Sequence, residues 1–140
     1  MSFVEKMDMT YSYKPALLLS LLDNLDNFGR APIDAVVASF IRFYADRKAQ
    51  GLPPEKPNSL FAQDEIPEKE AKALLLRYPF KRFADMRFLS YSRDLDQLTL
   101  DRDIHKRLTR EDVETIRGVC LRKLGKYFKK CVIVHWSKIC

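Results

Sequence analysis

The stretch FLSYSRDLDQLTL, residues 88–100, decides the fold of this chain. Polar and apolar residues alternate in it on both sides of Asp94-Leu95-Asp96, as in two strands joined by a turn of about three to five residues. Upstream of residue 88 the apolar residues recur every three or four positions, which indicates helices. The chain is therefore predicted to contain a β-hairpin that follows a set of helices.

Three helices are predicted before the hairpin, each with a proline at its first position. They cover residues 15–28, 32–51 and 67–78, and Pro79 is predicted to stop the third. The first is apolar on most sides, so we expect it to lie at the centre of the domain. The short joint at 29–31 predicts that the first two helices pack at an angle. The four prolines within 51–67 predict a surface loop without regular structure.

A fourth helix is predicted after the hairpin, from Thr109 to about Lys129. Thr109 and Asp112 form a variant of the capping box at its start. Helix, helix, loop, helix, hairpin, helix is the order of a winged helix with a C-terminal extension. The predicted fold class is mostly α (α+β): a winged-helix-like bundle of about four helices with a two-stranded β-hairpin. A plain mixed α+β domain, in which the hairpin only caps the core, is the alternative.

The length and the amino-acid composition further limit the domain organisation, the cofactors and the cellular location that we expect. A chain of 140 residues, 46% of them hydrophobic, predicts one ordinary core. We assign residues 1–12 to an N-terminal arm, 13–130 to the domain and 131–140 to a C-terminal tail. Three cysteines and two histidines lack the spacing of a disulfide framework or a zinc site, so we expect no metal or other cofactor. With no long apolar run and no signal peptide, a cytoplasmic protein outside the membrane is predicted.

The net charge of +6 is unevenly distributed. Residues 105–130 hold nine basic and three acidic residues, and residues 77–93 hold five basic and one acidic, so the remainder of the chain is net acidic. On the fourth helix Arg122, Lys126 and Lys129 face away from the apolar side. Such a face is either ordinary solvated surface or a stripe that contacts nucleic-acid phosphates.

The segment 77–83, predicted as a short joint before the hairpin, alternates basic and aromatic residues across a proline. Arg or Lys there suits phosphates, while Tyr78, Pro79 and Phe80 offer flat or rigid apolar faces to a base, a sugar or a methyl group. Phe80 and Phe83 also suit a role as core anchors.

Two stretches resemble a known family. YKPALLL (13–19) and YPFKRF (78–83) resemble the K-P-x-L-L-L and Y-P-F-x-R-[LF] stretches of sulfur-recognising domains, the winged-helix-like modules of prokaryotic restriction nucleases that read phosphorothioate-modified DNA. More loosely, the chain resembles accessory DNA-binding domains of bacterial defence helicases and nucleases. The resemblance implies an apolar pocket for the sulfur, with the candidates Pro15, Tyr78, Pro79 and Phe80. It also implies that Lys14, Lys81 and Arg82 hold the neighbouring phosphates.

We therefore expect a DNA-binding module of a restriction or antiviral defence system that binds double-stranded DNA, alongside a nuclease or helicase domain or subunit. The expected phosphate-binding residues are Lys14, Arg77, Lys81, Arg82, Arg87, Arg122, Lys126 and Lys129.

Two other functions stay open. Asp94, Asp96, Asp101 and Asp103 are candidate metal ligands of a nuclease, but turn chemistry is the favoured explanation, since Asp caps its own backbone in a turn and tolerates unusual dihedral angles. The rest of the sequence contains no recognisable catalytic motif, so we do not expect the protein to be an enzyme. The apolar tail at 131–136 is a candidate surface for a protein partner or for dimerisation.

Overall fold

The computed structural model describes residues 11–132, and within them the chain is mostly helical with a small antiparallel sheet. The four predicted helices are confirmed with shifted ends. They are α1 (Tyr13–Asn24), α2 (Ile33–Ala49), α3 (Glu68–Arg77) and α6 (Arg110–Tyr127). Two shorter helices, α4 (Pro79–Asp85) and α5 (Arg102–Arg107), are additional to the prediction.

The predicted hairpin is confirmed as β2 (Leu89–Ser92) and β3 (Gln97–Leu100), which pair in antiparallel orientation. A third strand is additional to the prediction: β1 (Arg30–Pro32) pairs with the other edge of β3 and gives the order β1-β3-β2. Three residues that include a proline are too short to display alternation. Helix, strand, helices and hairpin then follow in winged-helix-like order, so the α+β fold class is confirmed.

The first helix begins before Pro15 and ends before Phe28, contrary to the prediction. Pro15 is the third residue of α1, where a missing N–H costs nothing because the first turn has no intrahelical partner for it. The helix ends early because the Asp26 carboxylate accepts hydrogen bonds from the backbone N–H groups of Phe28 and Arg30, at 2.8 and 2.9 Å. These bonds lower the pKa of Asp26 and turn the chain into β1.

Gly29, at the start of β1, has a positive φ of 77°. A Cβ atom there would lie 2.9 Å from the His105 ring of α5. A glycine is therefore required both by the backbone conformation and by the close approach of α5.

The expectation that 77–83 is an irregular joint is wrong. Pro79 does stop α3, but it also begins α4, because a proline is favoured at the first position of a helix. Only Tyr78 separates the two helices. The buried Pro79 and Phe83 hold α4 against the core.

The capping box of α6 is confirmed. The Thr109 hydroxyl accepts from the Asp112 N–H and the Asp112 carboxylate accepts from the Thr109 N–H, both at 3.0 Å. The bond that the Asp112 carboxylate accepts from the Thr109 N–H lowers the pKa of Asp112. At the other end α6 stops at Tyr127 and continues as a π-helical turn, Phe128–Val132. The predicted tail at 131–140 lies outside the described residues from position 133 on.

The proline-rich stretch 51–67 is not a simple surface loop. Glu55, Ser59 and Phe61 are buried in it, and a 3-10 turn forms at Leu60–Ala62. Phe61 stacks on Tyr44 of α2 with ring centroids 4.5 Å apart. The loop therefore supplies part of the core.

Glu55 has an exposed fraction of 0%, and its carboxylate accepts hydrogen bonds from three segments: the start of α1, its own loop and the end of α6. One oxygen accepts from the backbone N–H of Ser12 at 2.8 Å and from the Ser12 hydroxyl. The other accepts from the Tyr127 hydroxyl and from the Lys56 N–H. The Ser12 hydroxyl also bonds the Tyr44 hydroxyl at 2.7 Å. Tyr11 and Ser12, predicted as the end of an arm, are thus packed into the domain.

Three further observations concern the length of the helices, the Cys120 thiol and the contacts of Asp96. None of the helices between residues 11 and 132 is long and apolar enough to cross a membrane. Burial raises the pKa of the Cys120 thiol to about 11, so the thiol of this residue stays protonated at neutral pH. At the hairpin, Asp96 binds the Lys72 ammonium of α3 at 3.1 Å and accepts from the Tyr91 hydroxyl, which lowers the pKa of Asp96.

We predict that Glu55→Gln lowers the free energy of unfolding by about 2–4 kcal/mol, because an amide nitrogen would face at least one hydroxyl or N–H donor in a buried site. Urea unfolding measures the change. The control is Glu65→Gln, an exposed residue of the same loop, which should stay within about 0.5 kcal/mol of the wild type. Equal stability of the two variants would contradict the importance of the buried network.

We predict that Asp96→Asn destabilises the protein at neutral pH and that its difference from the wild type disappears in acid. A carboxyl whose pKa is lowered by folding stabilises the fold above its unfolded pKa, 3.8, and loses this contribution as the pH falls through the folded value. Asparagine tolerates the positive φ of 49° at this position, so the variant isolates the charge. Chemical unfolding across a pH series measures the effect, with Asp94→Asn in the same turn as the control. A difference that persists in acid would rule out the charge as its cause.

Candidate nucleic-acid interface

A groove of about 790 Å³ opens where the start of α1, the loop at 58–60 and the α3–α4 corner meet. Its described lining is Tyr11, Tyr13, Lys14, Asn58, Ser59, Leu60, Leu74, Arg77, Tyr78, Pro79, Lys81, Arg82 and Asp85. The two stretches that carry the family resemblance, far apart in the chain, therefore form one surface. Of the predicted site residues the groove brings together Lys14, Arg77, Tyr78, Pro79, Lys81 and Arg82.

The remaining predicted pocket residues serve packing. Pro15 is buried, and Phe80 is half-buried with its ring edge-on to Tyr91 at 6.3 Å. Neither lines the groove. The groove therefore has a mixed surface, with Tyr78 and Pro79 as its apolar part beside basic groups.

The remaining predicted phosphate-binding residues lie elsewhere on the surface. Arg87 is exposed just after α4, while Arg122, Lys126 and Lys129 are exposed on α6 and the turn that follows it. Among the described residues, α6 contributes nothing to the lining. The predicted phosphate-binding residues are thus divided between the groove and other parts of the surface.

Helix periodicity explains which side chains of α4 face the groove. Phe83 points into the core, where its ring lies 5.8 Å from that of Phe88, and Pro79 is buried at the base of the groove. Lys81 and Arg82, between them in sequence, are exposed. The core contact of one face of α4 therefore orients the basic face.

The electrostatic character of the groove is positive. Lys14, Arg77, Lys81 and Arg82 line it together with a single acidic residue, Asp85, among the described lining residues. Within residues 11–132, Arg77, Lys81 and Arg82 make no ion pair with a carboxylate. A groove with four cations and one carboxylate among its described lining residues favours an anionic ligand.

Aromatic residues from the start of α1 form one wall. The rings of Tyr11 and Tyr13 stack at 5.0 Å, and the Tyr13 hydroxyl bonds the Ser59 hydroxyl at 2.6 Å. Burial raises the pKa of Tyr13, so its phenol remains protonated. Asn58 donates to the Tyr11 hydroxyl at 3.3 Å.

Sequence reasoning missed the contribution of Tyr11, Asn58, Ser59 and Asp85 to the groove. For Asn58 and Ser59 no local signal exists, because they belong to a stretch whose prolines indicate surface. Asp85 follows from the helical spacing once α4 is recognised, since it lies four residues after Lys81.

Two of the four aspartates that were candidate metal ligands have structural partners. Asp101 accepts from the Ile104 N–H as the N-cap of α5, and Asp96 binds Lys72 and Tyr91. In the part of the chain that the structure describes, no group of three or more His, Cys, Asp or Glu side chains could hold a metal ion.

The end of α4 carries a strained residue, Arg87, two residues after the groove residue Asp85. The N–H of Phe88 bonds the Phe83 carbonyl and the N–H of Arg87 bonds the Ala84 carbonyl, which is a Schellman motif. Arg87 occupies its left-handed position with a φ of 57°, where glycine is usual. An arginine there costs stability, so its side chain is a candidate for a functional role.

We predict that Arg87→Gly raises the free energy of unfolding by up to about 1 kcal/mol, because glycine adopts the left-handed conformation without steric cost. The same variant should weaken DNA binding, because an exposed cation two residues after the groove residue Asp85 is lost. Thermal unfolding and a DNA titration on one preparation measure both effects. If the variant is less stable than the wild type, the backbone at Arg87 is not strained. If its DNA affinity is unchanged, the Arg87 side chain does not contribute to DNA binding.

No protein-family model, no curated protein and no solved structure matches the chain. The candidate interface is therefore assigned from its own residues. It consists of basic side chains at the start of α1, at the end of α3 and on α4, set against Tyr13, Tyr78 and Pro79.

Proposed function

We propose that this chain is a DNA-binding module that holds backbone phosphates with the basic residues of the groove. The observation that carries the proposal is the convergence of Lys14, Arg77, Lys81 and Arg82 from two distant segments onto one concave surface. Each Lys or Arg placed against a phosphate contributes affinity through the release of counterions. Such contacts position a protein on DNA without reading its sequence.

The position of α4 in the fold supports the same function. It is the second helix of the closely spaced α3–α4 pair and directly precedes the hairpin. In helix-turn-helix proteins the second helix of such a pair enters the major groove of DNA. Lys81, Arg82 and Asp85 are its exposed side chains within the groove lining.

The proposal extends to a modified backbone and to a defence setting through the family resemblance. Tyr78 and Pro79 put apolar surface next to the cations, and a phosphorothioate sulfur is less hydrated than the oxygen it replaces. We propose on this basis a module of a prokaryotic restriction or defence system that acts with a nuclease or helicase partner. Arg122, Lys126 and Lys129 are proposed as a second, separate phosphate contact on α6.

We predict that Lys81→Ala/Arg82→Ala weakens binding to a duplex by at least about tenfold and lowers the slope of log affinity against log salt by about 2. Fluorescence anisotropy across a salt series measures both. The control, Lys69→Ala/Arg110→Ala, removes the same charge from exposed positions on α3 and α6 outside the groove. If the control lowers affinity as much as the groove variant, binding is a response to net charge alone and the proposed interface is wrong.

The same titration with a phosphorothioate duplex tests the modified backbone. A ratio of affinities that favours the phosphorothioate duplex and falls in Tyr78→Ala supports recognition of sulfur in the groove. Equal affinities for the two duplexes would contradict it while leaving phosphate binding intact. The triple variant at Arg122, Lys126 and Lys129 should lower the salt slope further; an unchanged slope would exclude α6 from the interface.

A further inference from the structure

We infer that the groove receives one unpaired nucleotide of the bound DNA, with its base on Tyr78 and its base edge toward Asp85 and Asn58. The inference rests on the proposed DNA binding and goes beyond it, because it names the part of the DNA that enters the groove. Backbone contact alone leaves three features of the groove without a role: its size, its exposed aromatic ring and its carboxylate.

The size exceeds what a phosphate contact needs. A volume of about 790 Å³ falls within the range of about 300–1,000 Å³ that is typical of sites enclosing a small molecule. The outer surface of a duplex backbone is convex and leaves most of such a hollow empty. A nucleotide turned out of the duplex has the dimensions to enter it.

The aromatic ring is suited to a base. Tyr78 is 56% exposed, although large hydrophobic side chains of this domain are mostly buried. It lies at the one-residue corner between α3 and α4, between the lining residues Arg77 and Lys81. Stacking of an unpaired base on an aromatic ring, with cations beside it for the phosphates, is the usual arrangement in sites for single-stranded nucleic acid.

The Asp85 carboxylate indicates that the groove contacts the hydrogen-bonding edge of a base. Asp85 repels phosphates, so a site for phosphate alone gains nothing from it. A carboxylate accepts a hydrogen bond from an exocyclic amino group, as Asp and Glu do from cytosine N4. Asn58, which also lines the groove, offers an amide oxygen as a further acceptor. Adenine and cytosine carry such an amino group on the Watson–Crick edge, whereas thymine does not.

In a duplex the Watson–Crick edge of each base is paired with the partner base, and both faces of the base are stacked on its neighbours. A base can therefore meet Tyr78 and Asp85 only if it is unpaired or extruded. An existing unpaired nucleotide avoids the cost of extrusion, so it should bind better than a fully matched duplex.

The test compares duplexes that differ only in one extra unpaired nucleotide. We expect wild-type protein to bind a duplex with a single adenine or cytosine bulge about tenfold more tightly than the matched duplex, in line with the energy of stacking one base. A thymine bulge should gain less. Tyr78→Ala should bind bulged and matched duplexes equally, Tyr78→Phe should restore the preference, and Asp85→Asn should reduce the difference between thymine and the other bases.

Phe28→Ala is the control, since it removes an exposed aromatic ring outside the groove and should keep the preference of the wild type. Circular dichroism of each variant confirms that it is folded. Tight binding of all duplexes without a preference would overturn this inference and leave the proposed function standing. A preference that survives Tyr78→Ala would overturn it as well, whereas failure to bind any duplex would overturn both proposals.

Discussion

The buried carboxylate of Glu55 is the interaction on which the rest of the structure depends. A charge removed from water is costly unless donors replace the lost hydration, and here backbone N–H groups and hydroxyls from three segments do so. One of these donors is the backbone of Ser12 at the N-terminal end of α1, where the helix dipole also favours a negative charge. The start of α1, the proline-rich loop and the end of α6 are thereby fixed to one another, and Tyr44 attaches α2 to the same network.

The groove is a consequence of this network. Ser12 directly precedes Tyr13 and Lys14, so the bonds of Ser12 to Glu55 determine where these side chains emerge. The same loop continues to Asn58 and Ser59, which hold Tyr11 and Tyr13 by hydrogen bonds. The opposite wall depends on different forces, because α4 is oriented by the burial of Pro79 and Phe83. One wall of the interface is thus held by polar contacts and the other by apolar packing.

Features of the fold could be predicted where the sequence pattern lies within one short segment, but not where they depend on residues far apart in the chain. The long helices and the hairpin followed from periodicity, and the capping box of α6 followed from Thr109 and Asp112, because each of these signals is local. The dual role of Pro79 was missed because a proline ends one helix and begins another with the same chemistry. The burial of Glu55 was missed because its partners Ser12 and Tyr127 lie 43 and 72 residues away. Of the predicted site, the two short stretches met in one groove, whereas Pro15 and Phe80 became packing residues.

The short strand β1 has a consequence for assembly. Its outward-facing backbone groups belong to Arg30 and Pro32, because Ala31 between them pairs with Leu98 of β3. Arg30 already donates to the Asp26 side chain and its carbonyl accepts from the Asp26 N–H, while Pro32 has no N–H to offer. A strand from another molecule would find almost no free partner on this side. The sheet is therefore closed to extension at β1, which protects the domain from edge-to-edge aggregation there.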